Sequence, residues 1–340
     1  MKKVLVTGGA GFIGVNTCMK FAENGWDITA FDNLSRPGAD ENVKLMLDQG
    51  SIKFVKGDIR NSHEIDNLLN NNEFYAVIHL AAQVAVTTSV TDPAEDFEIN
   101  AKGTFNVLES IRKYSRKTKL IFASTNKVYG KLESIEVVES NGRYQYLDLP
   151  AGVNESHPLD FHSPYGCSKG CADQYVLDYA RIYGLDTTSF RQSCIYGPRQ
   201  FGIEDQGWLA WFIIASILGR QITIYGDGKQ IRDVLHVDDL VNAYECALKS
   251  EGRASGHCFN IGGGPSATLS LLELVTMLES RMDKSVPLNF STWRPGDQPV
   301  FVCDVSKAKL LLGWEPAIRP SEGVDKLISW VTDNQSLFAK

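Results

Sequence analysis

Directly after the short apolar run Lys3–Thr7 the chain reads Gly8-Gly9-Ala10-Gly11-Phe12-Ile13-Gly14, and a stretch with helical apolar spacing, Phe12–Asn24, follows. A strand that hands over to a helix through closely spaced glycines leaves few options. The turn is too tight for side chains, and the helix N-terminus aims unpaired N–H groups and a positive dipole end into it. The spacing of Gly8, Gly11 and Gly14 is GxxGxxG. In this strand–turn–helix setting it predicts a cradle for a dinucleotide pyrophosphate, lined by Gly8, Gly11, Phe12, Ile13 and Gly14; a bare tight turn is the alternative. Gly25 stands where a glycine that ends the helix belongs.

The alternation continues. Lys3–Thr7, Asp27–Phe31, Ile52–Lys56, Ala76–Leu80, Lys119–Ser124 and Thr187–Arg191 read as buried strands, and helical patterns such as Phe12–Asn24 and Asn100–Lys113 separate them. This order predicts an α/β fold: a doubly wound parallel sheet of the Rossmann type over residues 1–195. Beyond Tyr196 the pattern becomes irregular, with an aromatic helical stretch Trp208–Leu218 and a run Ile222–Gly226. Residues 196–340 are therefore expected to form mainly a smaller C-terminal substrate-binding lobe, with some chain returning to the first domain. Residues 131–163 carry weak periodicity and read as a long, functional loop.

With 43% hydrophobic residues the 340-residue chain has ample material for a core, and a net charge of −7 argues against a nucleic-acid partner. The run before the glycines is too short for a secretory signal, and no apolar stretch is long enough to span a membrane. Seven cysteines without a CxxC pair read as reduced thiols, with no metal-ligand spacing. A cytoplasmic protein with no membrane partner is expected.

Asp32 closes the second apolar run. A carboxylate there accepts from both ribose hydroxyls and repels a 2′-phosphate, which selects NAD over NADP. Asn33, Ser35 and Arg36 follow in the same loop. Arg36 suits adenine stacking or the pyrophosphate, although an arginine can also hold a 2′-phosphate. Asp58-Ile59, after the third strand, suits the adenine edge, with a helix cap as the alternative reading of Asp58.

Tyr165-Gly166-Cys167-Ser168-Lys169 places a phenol and an ammonium at i and i+4 of a helix, on one face. The ammonium is expected to lower the phenol pKa, so that Tyr165 can take a proton from a hydroxyl while hydride leaves for NAD. Upstream, Ser124-Thr125-Asn126-Lys127-Val128-Tyr129-Gly130 ends the fifth strand, and a hydroxyl there can share that proton.

These strings, with His79-Leu80-Ala81-Ala82, Asn100, Arg232-Asp233-Val234-Leu235-His236-Val237-Asp238-Asp239 and Arg294-Pro295-Gly296-Asp297, resemble the extended short-chain dehydrogenase/reductases over nearly the whole chain. The resemblance implies Thr125 as the catalytic hydroxyl, with Ser124 as its neighbour and fallback, beside Tyr165 and Lys169. It implies that Leu80, Ala81 and Ala82 line the cofactor, which Tyr165 and Lys169 also touch. Asn100 is expected to support the cofactor side, or to cap the helix that begins there. A regenerated NAD should stay tightly bound.

Longer strings, including Gln83–Ser89, Leu159–Gly170 and Asp205-Gln206-Gly207-Trp208, resemble a branch of that family that works on CDP-linked 3,6-dideoxyhexoses. Arg232 and Arg294 then match diphosphate-contact positions. Thr88, Lys127, Arg199, Gln200 and Tyr225 complete the expected substrate set. The family's dehydratases carry an Asp-Glu pair after the hydroxyl residue; Asn126 and Lys127 cannot supply it. Two alternatives stay open, a UDP-sugar 4-epimerase and a non-catalytic NAD-binding scaffold. A family-like homodimer or homotetramer would pair through Asn100–Lys113 and Pro164–Tyr183.

Overall fold

The computed structural model describes residues 2–294 and 297–338; Pro295 and Gly296 of the Arg-Pro-Gly-Asp string lie outside them. A seven-stranded parallel sheet organises the chain. Its strands are β1 (Lys3–Thr7), β2 (Asp27–Asp32), β3 (Ile52–Lys56), β4 (Ala76–His79), β5 (Lys119–Thr125), β6 (Thr187–Gln192) and β7 (Cys258–Ile261), in the order β7-β6-β5-β4-β1-β2-β3. The order reverses between β1 and β4, and that reversal opens a crevice at the carboxyl ends of the strands. This is the expected Rossmann architecture.

The sheet is buried on both faces because its side chains alternate between two cores. Val4, Val6, Ile28 and Ala30 point to one side, where they meet Val15 and Cys18 of the helix Phe12–Glu23 and Val241 and Tyr244 of the helix Val237–Lys249. Leu5, Val77 and Phe122 point to the other, against Val107 and Ile111 of Gly103–Tyr114 and Ala172 and Val176 of Ser163–Tyr183. Strands enclosed in this way read as continuous apolar runs, which is why six of them stood out in the sequence.

The seventh did not. Cys258–Ile261 pairs with Thr187–Gln192 in parallel register, Phe259 opposite Phe190. The long segment 131–163 also holds structure: an antiparallel hairpin, Val137–Ser140 with Arg143–Tyr146, turned by Asn141 and Gly142 at positive φ. A separate core gathers Ile213 and Ile214 of the helix Trp208–Ile217, Ile222 and Ile224, Leu274 and Leu278, and Val324 and Leu327. No described helix is long and apolar enough to cross a membrane.

Candidate active site

The glycine turn is tight for a measurable reason. A Cβ at Gly14 would stand 2.1 Å from the Gly8 carbonyl oxygen, and one at Gly8, where φ is +69°, would stand 2.6 Å from the Ala81 nitrogen. These two glycines let helix, turn and the loop after β4 close on each other. At Gly11 a Cβ would meet only the Gly8 carbonyl, at 3.3 Å, and its remaining surface faces a cavity of about 410 Å³. That cavity runs along the carboxyl ends of β1, β2, β4, β5 and β6.

Most of the expected residues meet there. Gly8, Gly11, Phe12, Ile13, Gly14, Asp32, Asn33, Ser35, Arg36, Asp58, Ile59, Leu80, Ala81 and Ala82 line one end. Thr125, Tyr165 and Lys169 line the other, and Arg199 and Gln200 also line the cavity. Asp32 is held by its own loop: it accepts from the Ala10 N–H at 3.1 Å and the Leu34 N–H at 2.7 Å. Burial raises its pKa, while those same N–H groups pull the other way. Asp58 is no helix cap; Asn61 caps the helix that follows. Burial works to raise the Asp58 carboxyl, but the fork of Arg60 at 2.7 Å and the Asn33 amide at 2.9 Å outweigh it and hold the pKa down to about 2.

At the catalytic end, the Tyr165 phenol meets the Thr125 hydroxyl. The Lys127 backbone N–H donates to Thr125 Oγ1 at 3.2 Å, and the hydroxyl itself donates weakly to Asn126 Oδ1 at 3.4 Å. Ser124 also lines the cavity, and its buried Oγ has no partner among the described residues. The expected lowering of the phenol pKa is corrected: burial first, then the Asp96 charge, push Tyr165 up to about 12 against the pull of Thr125. The ammonium itself suffers from burial. Lys169 is brought down to about 7 despite the opposing charges of Asp173 and Asp96, and its Nζ donates to the Ala123 carbonyl at 2.5 Å.

Asn100 is neither a cap nor part of the cavity wall. The helical path runs through it, from Pro93–Phe97 by a π turn, Glu98–Lys102, into Gly103–Tyr114. Its amide donates to the Gln83 carbonyl at 3.0 Å, to Asp96 at 3.1 Å and to Ser168 Oγ at 3.2 Å. Ser168, between Tyr165 and Lys169, donates to Asp96 at 2.5 Å. This buried network ties the helix carrying Tyr165 to the loop carrying Leu80–Ala82.

The other expected substrate residues lie beyond the cavity wall, in separate groups. Arg232, buried, donates to Asp297 at 2.5 Å. Lys127 shares that surrounding, and burial and then the Arg232 charge lower its pKa against Asp297. Cys194 borders both groups and lines the cavity. Further out, Arg294 pairs with Asp205 at 2.9 Å and sits 4.1 Å from the Tyr225 ring centroid, while the Tyr225 hydroxyl donates to Glu204 at 3.1 Å. Thr88 is exposed on the short helix Val86–Thr91. The sequence reading missed how much of the wall comes from 192–209, including Gln192, Ser193, Phe201, Gln206 and Trp208. The signal was Gly197-Pro198 after a strand end, since ligands sit at carboxyl edges. Among the described residues no group of three or more His, Cys, Asp or Glu could hold a metal ion.

Sheet, glycine turn and Tyr165/Lys169 helix together define a dinucleotide-fold protein of the extended short-chain dehydrogenase/reductase class. The chain belongs to the family described as GDP-mannose 4,6 dehydratase, which matches residues 5–327. It is 45% identical over 335 residues to a CDP-paratose 2-epimerase of Salmonella typhi, covering 97% of this chain and 99% of that protein. Among solved structures it resembles the UDP-glucose 4-epimerase of Thermotoga maritima with UDP-glucose (TM-score 0.84, 32% identity, 98% and 99% covered). It also resembles the Bacillus cereus UDP-glucuronic acid 4-epimerase in complex with UDP-glucuronic acid and NAD (TM-score 0.84, 28% identity, 98% and 99% covered).

Proposed function

We propose that this chain is an NAD-dependent nucleotide-sugar epimerase that interconverts CDP-paratose and CDP-tyvelose at C2. The observation that carries the reading is one continuous cavity, from the Gly8–Gly14 turn and Asp32 to Tyr165 and Thr125, in a chain 45% identical to a CDP-paratose 2-epimerase. The residues fit the cofactor: a Cβ at Gly11 would intrude on the cradle, and Ser124 Oγ offers a buried polar atom without a protein partner.

In this reading the Gly8–Gly14 turn, with Phe12 and Ile13, holds the pyrophosphate. Asp32 takes the ribose hydroxyls and favours NAD over NADP. Asn33, Ser35, Arg36, Asp58 and Ile59 surround the adenine end, and Leu80, Ala81 and Ala82 the far half. Bound NAD supplies a hydride acceptor that gives the hydride back, so the reaction shows no net redox change. Tyr165 takes the proton of the C2 hydroxyl. A phenol near 12 needs help to ionise, which Thr125 gives by hydrogen bonding, while Lys169 is proposed to hold the nicotinamide ribose.

The two sugars differ only at C2. Oxidation at C4 acidifies protons at C3 and C5, so direct oxidation at C2 to a 2-keto sugar is the economical route. The sugar must then turn its other face before the hydride returns. Arg232, Arg294, Lys127, Arg199, Gln200, Tyr225 and Thr88 are proposed to hold the nucleotide and sugar. Arg232 and Arg294 would exchange Asp297 and Asp205 for diphosphate oxygens. The exposed apolar side chains of Phe105, Tyr175 and Ile182, on the two helices expected at a subunit contact, suit a homodimer or homotetramer. Seven free cysteines suit a cytoplasmic location.

A panel of CDP- and UDP-sugars tests the reading. Conversion of CDP-paratose at C2 is expected. Conversion of UDP-hexoses at C4 with CDP-paratose untouched would replace it with the 4-epimerase.

A further inference from the structure

The cavity has a roof whose halves come from distant parts of the chain. One is the loop after β2, residues 33–38; the other is segment 198–207, which follows the strand Cys194–Tyr196. Two contacts join them, and a third ties segment 198–207 to the glycine-turn helix. The Phe201 ring closes on Gly38, where a Cβ would stand 2.3 Å from it. Arg36 donates through Nη2 to Gln206 Oε1. Asn16, in the helix that opens at the glycine turn, donates to the Pro198 carbonyl at 3.0 Å.

Phe201 is anchored from behind. Its ring centroid lies 6.2 Å from that of Trp330 and 5.5 Å from that of Phe338, so the second core presses the ring onto the cofactor loop. Gly38 accepts it because φ is +80° and no side chain intervenes. Arg36, Phe201 and Gln206 all line the cavity, on the side of Asp32 and the glycine turn. In the NAD reading above, a dinucleotide lying along that turn is covered by this seam.

We propose that Phe201 on Gly38 and Gln206 on Arg36 form a latch that retains the dinucleotide through the catalytic cycle, an inference that rests on the NAD reading above. An epimerase that returns its own hydride must keep the reduced cofactor until the sugar has turned. A seam that has to open for passage does this without strengthening a single cofactor contact. It slows entry and exit alike and leaves their ratio unchanged, whereas a direct contact slows exit and tightens binding together.

The test is stopped-flow binding of NAD and NADH to protein stripped of cofactor, for wild type, Gln206→Ala and Phe201→Ala. Both association and dissociation are expected to rise by about tenfold or more, with Kd held within about threefold. Gln206→Glu, which sets a carboxylate opposite Arg36, should slow both rates. Thermal melts check that Phe201→Ala still folds; half-buried Gln206 carries the test if it does not. Faster dissociation with a proportionate rise in Kd would make these residues plain cofactor contacts and overturn the latch, as would unchanged rates. Wild type that binds neither NAD nor NADH would overturn latch and cofactor reading together; wild type that binds, with unaltered variants, overturns the latch alone.

Discussion

The Tyr165 phenol meets Thr125, whereas Lys169, one helical turn on, donates its ammonium to the Ala123 carbonyl at 2.5 Å. The two catalytic candidates thus reach strand β5 at different residues, and Thr125 is the neighbour that pulls the phenol pKa down against burial. Tyr165→Phe keeps the ring in its buried site and removes only the ionisable oxygen. Turnover is expected to fall by about 10²–10⁴-fold or more, with NAD affinity kept. Thr125→Val should give a smaller loss of kcat at similar KM. Retained turnover in Tyr165→Phe, measured by product analysis, would move the base elsewhere.

Burial of Lys169 has a second consequence, in stability. Its folded pKa is near 7 and its unfolded pKa is the ordinary value of about 10.4. A lysine with a depressed folded pKa binds fewer protons in the native state, so its contribution improves as pH rises between those values. Below pH 7 both states are protonated and the native state carries a buried charge. Lys169→Met, measured by urea unfolding of cofactor-free protein, should therefore be more stable than wild type at pH 6. That advantage should shrink towards pH 9, by no more than about 3 kcal/mol. A gap independent of pH would show that Lys169 is not depressed.

The sequence made the parallel sheet legible where strands are enclosed by helices on both faces, as at Val4–Val6 and Val77–Ile78. Cys258–Ile261 escaped because it is only four residues long, lies between glycine-containing turns and carries the polar Asn260 among its apolar positions. The hairpin escaped although Asn141-Gly142 is a strong two-residue turn signal, since both residues sit easily at positive φ; its strands are only partly buried and their alternation is weak. The cofactor end of the cavity was readable from local motifs. The partners of the basic residues were not: Arg232 finds Asp297 and Arg294 finds Asp205 only through tertiary folding. Burial, which sets the direction of the Tyr165 and Lys169 shifts, is equally invisible in an i, i+4 spacing.

Asp32 both faces the cavity and closes its own loop through the Ala10 and Leu34 N–H groups. Asp32→Ala should therefore weaken NAD binding and narrow the preference for NAD over NADP. It should also lower stability by about 1–3 kcal/mol, because two N–H groups lose their acceptor. Calorimetric titration of both cofactors and a thermal melt check it. Equal wild-type affinity for NAD and NADP would remove Asp32 from the ribose.

The two arginines should behave differently. Arg232→Ala leaves the largely buried Asp297 carboxylate without its partner, so a stability loss of about 1–3 kcal/mol should accompany a rise in KM of about tenfold or more. Asp297→Asn in that background should recover stability without recovering KM. Arg294 is more exposed, and its ion pair with Asp205 lies near the surface. Arg294→Ala should raise KM with a stability cost below about 1 kcal/mol. Unchanged saturation curves in both would place the nucleotide elsewhere.

Deuterium at C2 of CDP-paratose separates the proposed route from its rivals. If Tyr165 takes the hydroxyl proton while the C2 hydride leaves and later returns to the same carbon, the product keeps deuterium at C2 in ordinary water. The proton that Tyr165 moves belongs to oxygen and exchanges without trace, so only the carbon label reports the mechanism. A primary isotope effect on kcat is expected if hydride transfer limits turnover; its absence with the label retained would shift the slow step to the turning of the sugar or to product release. Removal of the C2 proton as an acid would instead wash the label into solvent. Tyr165→Phe should suppress transfer without changing the fate of the label in its residual turnover. Loss of deuterium from C2 in the wild-type product would sink the 2-keto route, and an isotope effect from C4 with none from C2 would assign the cavity to a 4-epimerase.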